Sequence, residues 1–146
     1  MPTTWIVAAD SSRARILQVM GRERLREVEN LVNPEGRLND RELTTDAHPR
    51  LRGTSGPGSD RQEMPAVEHH VELFAKRIGQ RLDKARMENR YDQLVLVAPP
   101  KFLGRLRQEL DKEVEKLVAD ELPKDLSWFN EREIERYFAK GSGQAP

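Results

Sequence analysis

The chain has 146 residues, and its 25 basic side chains balance its 25 acidic ones, so the formal net charge is zero. A neutral chain has no overall attraction to nucleic acid or anionic lipid, although a local basic patch could still bind either. The absence of cysteine excludes disulfides, thiol catalysis and cysteine metal sites. No segment approaches the ~20 apolar residues that cross a bilayer, and the first residues lack the basic start of a signal peptide. We therefore expect a cytoplasmic protein that does not enter a membrane.

The N-terminal part of the chain predicts three meandering strands. Residues Thr4–Ala9 are apolar and β-branched, which is typical of a buried strand, and Arg13–Met20 alternates between two faces. A weaker alternation predicts a third strand that ends near Val32. Asp10 and the two serines after it form a turn triplet, whose side chains can bond nearby backbone N–H groups.

Residues 33–64 interrupt the regular pattern with glycines and prolines, and apolar residues are almost absent. A structureless segment of this length inside a compact domain is usually functional or disordered. We expect a flexible loop here in which Arg50 and Arg52 make one stretch locally basic. Such a segment can become ordered on RNA phosphates, whereas a solvated mixture of charges is the simpler alternative.

The remaining chain alternates helices and strands. A stripe of apolar residues spaced three and four apart predicts a long helix from Pro65 to about Asn89. The uninterrupted apolar run Gln93–Ala98 predicts a central strand, because strands covered on both faces read this way. A second helix is marked by leucines after Pro100, and a further strand is expected over Leu117–Glu121.

The end of the chain predicts a last short helix and a frayed tail. Asn130 and Glu133 have the spacing of a capping box, and residues 141–146 are expected to be disordered. The order βββ–loop–α–β–α–β–α predicts a single α/β domain over residues 1–140. Its mixed five-stranded sheet would have helices packed on it, because hairpins open the chain and helical crossovers close it.

Asp10 is the one acid placed where a metal-dependent nuclease of the ribonuclease H type would hold magnesium, just after the first strand. Such a site needs several carboxylates that converge on the ion. The central strand instead ends Ala98-Pro99-Pro100-Lys101, without an acid. The adjacent His69 and His70 would point about 100° apart on a helix and could not easily share an ion. We therefore expect Asp10 to serve the turn and expect no cofactor or metal, with the nuclease as an alternative.

The connection that follows the central strand is the best candidate surface. Ligands of open α/β sheets favour the ends of such strands, and a helix N-terminus attracts anions that Lys101 and Arg105 would help to bind. No glycine-rich phosphate loop is present, and no small-molecule substrate is evident. The candidate binding residues are Asp10, Arg13, Arg15, Arg50, Arg52, Pro100, Lys101, Arg105 and Asp125.

Three segments carry a resemblance to a known family. TWIVAADSSRARIL at residues 4–17, YDQLVLVAPPKFLGRLRQEL at residues 91–110 and VADELPKDLSWF at residues 118–129 resemble the bacterial host-attachment protein family. That family is distantly similar to the middle domain of eukaryotic-type peptide-release factors and Pelota. The resemblance implies a long loop, which in release factors carries Gly-Gly-Gln. Here residues 53–64 read GTSGPGSDRQEM, without that tripeptide.

The resemblance favours a non-enzymatic cytoplasmic binding protein associated with the ribosome or RNA. Two alternatives stay open at this point: the nuclease that uses Asp10, and a regulatory protein whose partners are proteins only.

Overall fold

The computed structural model describes the backbone of residues 2–22, 24–35 and 49–144, and it describes their side chains except at 49–67 and 140–144. The elements are β1 Thr4–Ala9, β2 Arg13–Met20, β3 Arg24–Val32, α1 Pro49–Met87, β4 Gln93–Val97, α2 Pro100–Gln108, α3 Lys112–Glu115, β5 Val118–Leu122 and α4 Glu131–Gln144. The strands form one five-stranded sheet in the order β3-β2-β1-β4-β5. Strand β2 is antiparallel to both of its neighbours, whereas β4 is parallel to β1 and to β5. The predicted mixed α/β sheet is confirmed.

Hydrophobic clusters lie on both faces of the sheet. On one face the stripe of α1 buries Phe74, Ile78 and Leu82 against the strands, as its spacing predicts. On the other face Leu126 and the α4 residue Ile134 pack against apolar side chains of the strands. Helices therefore cover both faces, so the central strands read as continuous apolar runs.

Helix α1 is longer than its sequence predicts. It begins at Pro49 rather than Pro65, so the second half of the predicted loop is helical, and residues 36–48 lie outside the described part of the chain. The glycines and the proline in this stretch argue for a loop on propensity alone. Once the packed half of α1 has formed, however, each added residue contributes one hydrogen bond without a new nucleation cost.

The C-terminal region contains the predicted capping box and a last helix that extends past residue 141. The backbone N–H of Asn130 donates to Glu133 Oε1 and the N–H of Glu133 donates to Asn130 Oδ1, both at 2.8 Å, which is the predicted capping box. Helix α4 then continues to Gln144, whereas the sequence favours a disordered tail from residue 141. Residues 145–146 lie outside the description. Among the helices of the described ranges, none is long and apolar enough to cross a membrane.

Tyr91 is a buried titratable group at the base of the core. Its hydroxyl donates to the carbonyl oxygen of Leu82 at 2.7 Å, and its ring centre lies 5.0 Å from that of Trp5. Burial, as the largest cause, raises the pKa of Tyr91 to about 12. Because an unfolded tyrosine ionises at a pKa of about 10, the unfolded chain should release this proton first, and stability should fall between pH 10 and 12.

Tyr91→Phe should therefore flatten this alkaline loss of stability while lowering stability at neutral pH through the lost hydrogen bond. Urea unfolding at a series of pH values from neutral to pH 11 measures both effects. A variant whose stability falls as steeply as that of the wild type above pH 10 would show that other groups cause the loss.

Candidate functional site

Four strands end at one edge of the sheet, and β2 begins there. Strands β1, β3, β4 and β5 run in the same direction, so the residues that follow them meet at what we call the carboxyl edge. This edge comprises residues 10–13, Asn33, residues 99–101 and residues 123–125. Ligands of open α/β sheets bind at such an edge. Most of the candidates predicted from sequence lie on it.

Asp10 shapes the turn between β1 and β2. Its Oδ1 accepts hydrogen bonds from the backbone N–H groups of Ser12 and Arg13 at 2.8 and 2.9 Å and from the Ser12 hydroxyl at 3.0 Å. Its Oδ2 accepts a fourth from the Trp128 indole Nε1–H at 2.6 Å. Asp10 is only 8% exposed. The predicted turn role is confirmed, and the bond to Trp128 adds a link across 118 residues of sequence.

This geometry disfavours Asp10 as a magnesium ligand. Four donors surround its two oxygens, so metal coordination would have to displace hydrogen bonds that hold the turn. Asp125 accepts bonds from the backbone N–H and hydroxyl of Ser127, so it caps its own turn. Within the described ranges, no group of three or more histidine, cysteine, aspartate or glutamate residues could hold a metal ion.

A fixed aromatic surface lies beside Asp10. Trp128 is 49% exposed and Phe129 is 42% exposed. The guanidinium carbon of Arg13 lies 4.7 Å from the centre of the Trp128 ring, within cation–π distance. Arg13 Nε is buried and has no hydrogen-bond partner among the described residues. We call Trp128, Phe129 and Arg13 the aromatic platform; Asp10 holds its indole and Arg13 lies against its ring.

Arg15 supports this platform from within the fold. It is 6% exposed, and its Nε and Nη2 both donate to Glu27 Oε1 at 2.9 Å. Its Nη1 donates to the carbonyl oxygen of Phe129. Arg15 is thus a buried residue of β2 that links β3 and the turn with Trp128 and Phe129 through its hydrogen bonds. Its side chain does not face solvent.

Lys101 and Arg105 come together at the start of α2. Both pair with Glu68 of α1: Arg105 Nη2 lies 2.6 Å from Glu68 Oε1, and Lys101 Nζ lies 3.7 Å from Glu68 Oε2. The Lys101 side chain is 83% exposed. Pro100 is exposed at the first position of α2, and none of the side chains that the structure describes caps that helix N-terminus. An anion at this position would compete with Glu68 for both cations.

Sequence reasoning found this edge but missed Trp128, Phe129 and Glu68. An aromatic pair in an otherwise polar turn is the signal that could have indicated the platform, since exposed aromatic neighbours often mark binding surfaces. Arg50 and Arg52 belong to the first turns of α1, but their side chains lie outside the description.

The fold of this chain is similar to that of solved structures. The crystal structure of the archaeal translation termination factor aRF1 matches with a TM-score of 0.51 and 13% identity. That match covers 97% of this chain and 39% of the factor. A second solved structure, described as an archaeal protein, matches with a TM-score of 0.49 and 14% identity over 97% of this chain and 41% of that one. At such identities the likeness concerns the fold alone.

Sequence comparison identifies the family. Uncharacterized protein RP470 of Rickettsia prowazekii is 34% identical over 87 residues, which are 56% of this chain and 57% of that protein. The match thus spans little more than half of the relative's length. The model of the family described as "Protein required for attachment to host cells" matches residues 5–138. The chain therefore belongs to this host-attachment protein family.

Proposed function

We propose that the protein is a non-catalytic module that binds RNA, and through RNA the ribosome, by means of the aromatic platform. The observation that carries this proposal is the half-exposed Trp128, which is fixed by the Asp10 hydrogen bond and by the Arg13 guanidinium. Proteins recognise unpaired RNA largely by stacking bases on aromatic side chains. A ring already held in place loses little conformational freedom when a base stacks on it.

The surroundings of the platform suit such a ligand. The exposed Lys101 lies at the same carboxyl edge, and the partly buried Arg105 follows it by four residues on α2, so a phosphate group can approach both cations. The saturated carboxylate of Asp10 supports a binding role rather than a metal-assisted cleavage. One solved structure that shares the fold is an archaeal translation termination factor, so ribosomal RNA is the RNA to test first.

Sedimentation with purified ribosomes at low salt tests this proposal. We expect the wild-type protein to sediment with ribosomes and Trp128→Ala to bind about five- to 150-fold more weakly, since one base stack contributes about 1–3 kcal/mol. Trp128→Phe should recover part of the binding, because it keeps an aromatic ring. Met87→Ala is a matched control, because it removes an apolar side chain that is 63% exposed on α1.

Two results would overturn the proposal. The first is wild-type protein that stays wholly in the ribosome-free fraction at low salt. The second is Trp128→Ala binding that equals that of Met87→Ala. A partner that is captured from lysate equally well after ribonuclease treatment would instead support the alternative of a regulatory protein that binds proteins only.

A further inference from the structure

A basic groove lies between α1 and β3, apart from the aromatic platform. It has an open volume of about 340 Å³ and contains no carboxylate in its lining. Its lining consists of three cations, two amides and one leucine, namely Arg77, Arg81, Lys84, Asn30, Gln80 and Leu31. The net charge of the lining is therefore strongly positive, although the chain as a whole is neutral.

The three cations lie in line on α1. Positions 77, 81 and 84 are spaced by four and three residues, so they share one face of the helix and span about 10 Å along its axis. Like charges at these spacings repel one another, and a bound anion would relieve this repulsion. The three cationic side chains therefore lie in a row along one side of the groove.

The cations differ in how far the protein neutralises them. Arg81 pairs with Glu29 of β3. The guanidinium of Arg77 lies 5.4 Å from the centre of the Phe74 ring and donates to the Val32 carbonyl oxygen at 3.5 Å. No carboxylate of the described side chains lies within 4.0 Å of it. Among the described side chains, Lys84 likewise has no carboxylate partner within 4.0 Å. Two cations of the groove are thus free of a close ion pair with any carboxylate that the structure describes.

We propose that this groove binds the phosphate backbone of a single RNA strand, an inference that rests on the proposed RNA binding and adds a second contact to it. A row of about 10 Å is long enough to face more than one phosphate of a single strand. Arginine forks fit phosphate oxygens, and the Gln80 and Asn30 amides can donate further bonds. At one end of the groove lies a smaller pocket of about 110 Å³, whose lining includes the carboxylates of Glu29 and Glu88. Because carboxylates repel phosphate, we expect the strand to leave the groove at this end.

Fluorescence anisotropy with a short labelled oligouridylate measures this contact. The double variant Arg77→Gln/Lys84→Gln should bind about tenfold more weakly at low salt. The slope of log affinity against log salt should fall in magnitude by about 1.4, because each phosphate contact on a single strand contributes about 0.7. Thermal unfolding of each variant checks that the fold is kept.

Two further variants sharpen the test. Glu29→Gln removes the acid that pairs with Arg81, so it should raise the affinity for oligouridylate severalfold. Lys112→Gln makes the same charge change as Lys84→Gln on the exposed helix α3 and should leave both affinity and slope unchanged.

The outcomes separate this inference from the proposed function. Wild-type binding that the double variant matches in affinity and slope overturns the groove and leaves the platform standing. Wild-type protein that binds no oligouridylate overturns both proposals. Polyglutamate of equal charge that competes as well as oligouridylate overturns the assignment to phosphate, because the groove would then accept an acidic peptide equally well.

Discussion

Gly79→Ala should destabilise the protein by about 1–3 kcal/mol, the usual cost of an added methyl in a close-packed site. A Cβ at this position would lie 2.5 Å from the Glu109 carbonyl oxygen and 3.3 Å from the carbonyl carbon. Real Cβ atoms almost never approach backbone atoms so closely. Gly79 is buried, and the Glu109 backbone is itself held by a 2.9 Å bond from its N–H to Leu106 O. Helix α1 would therefore have to move away from the end of α2.

Gly104→Ala is the matched control, because it makes the same chemical change inside α2, where the new Cβ would have no described atom within 4 Å apart from its chain neighbours and its own helix backbone. It should stabilise the protein by up to about 1 kcal/mol, since alanine favours the helix over glycine. Urea unfolding of both variants gives the comparison. If Gly79→Ala were stabilised as much as Gly104→Ala, the close approach of the two helices would not exist in solution.

The fold could be predicted largely because its cues are local. Alternation over Arg13–Met20 and the apolar run from Gln93 give strand positions that the structure confirms. The start of α1 could not be predicted in this way, because propensity at Gly53, Gly56 and Pro57 opposes the helix that the structure contains. The one-turn helix α3 has a single sequence cue, an aspartate cap at Asp111. Such a turn is too short to show a period.

In the candidate site, too, the contacts between residues close in sequence could be predicted, and the long-range contacts could not. The hydrogen bonds of Asp10 to its own turn follow from short-range side-chain chemistry, so the sequence predicts them. The bond of Asp10 to Trp128 and the pairing of Arg105 with Glu68 join residues that only the tertiary fold brings together. No spacing rule reaches across such separations. Arg15 is a case in which the sequence misleads: a charged residue in a strand is expected to be exposed, but Arg15 is buried and pairs with the partly exposed Glu27 of another strand.

Asp10→Ala should lower the free energy of unfolding by about 3 kcal/mol, a large part of the stability of a domain this size. The substitution leaves the N–H groups of Ser12 and Arg13 without their acceptor at a largely buried turn, at about 1–3 kcal/mol for each donor left unsatisfied. It also releases the indole of Trp128. Urea unfolding measures the loss. Asp125→Ala is the control: it removes an exposed aspartate with the same local capping pattern and should cost less.

Asp10→Asn separates the two oxygens of this carboxylate. The amide keeps one oxygen for the turn, but its nitrogen would face the Trp128 Nε1–H, so a donor would meet a donor. Stability should fall by only about 1 kcal/mol, while the indole proton of Trp128 exchanges faster than in the wild type. The chain contains two tryptophans, and the other, Trp5, is buried, so the two indole resonances can be told apart.

The metal-nuclease alternative predicts the opposite effects of Asp10→Asn. A carboxylate kept for metal binding strains the free protein, so its replacement should leave stability equal or higher and abolish a magnesium-dependent cleavage of RNA.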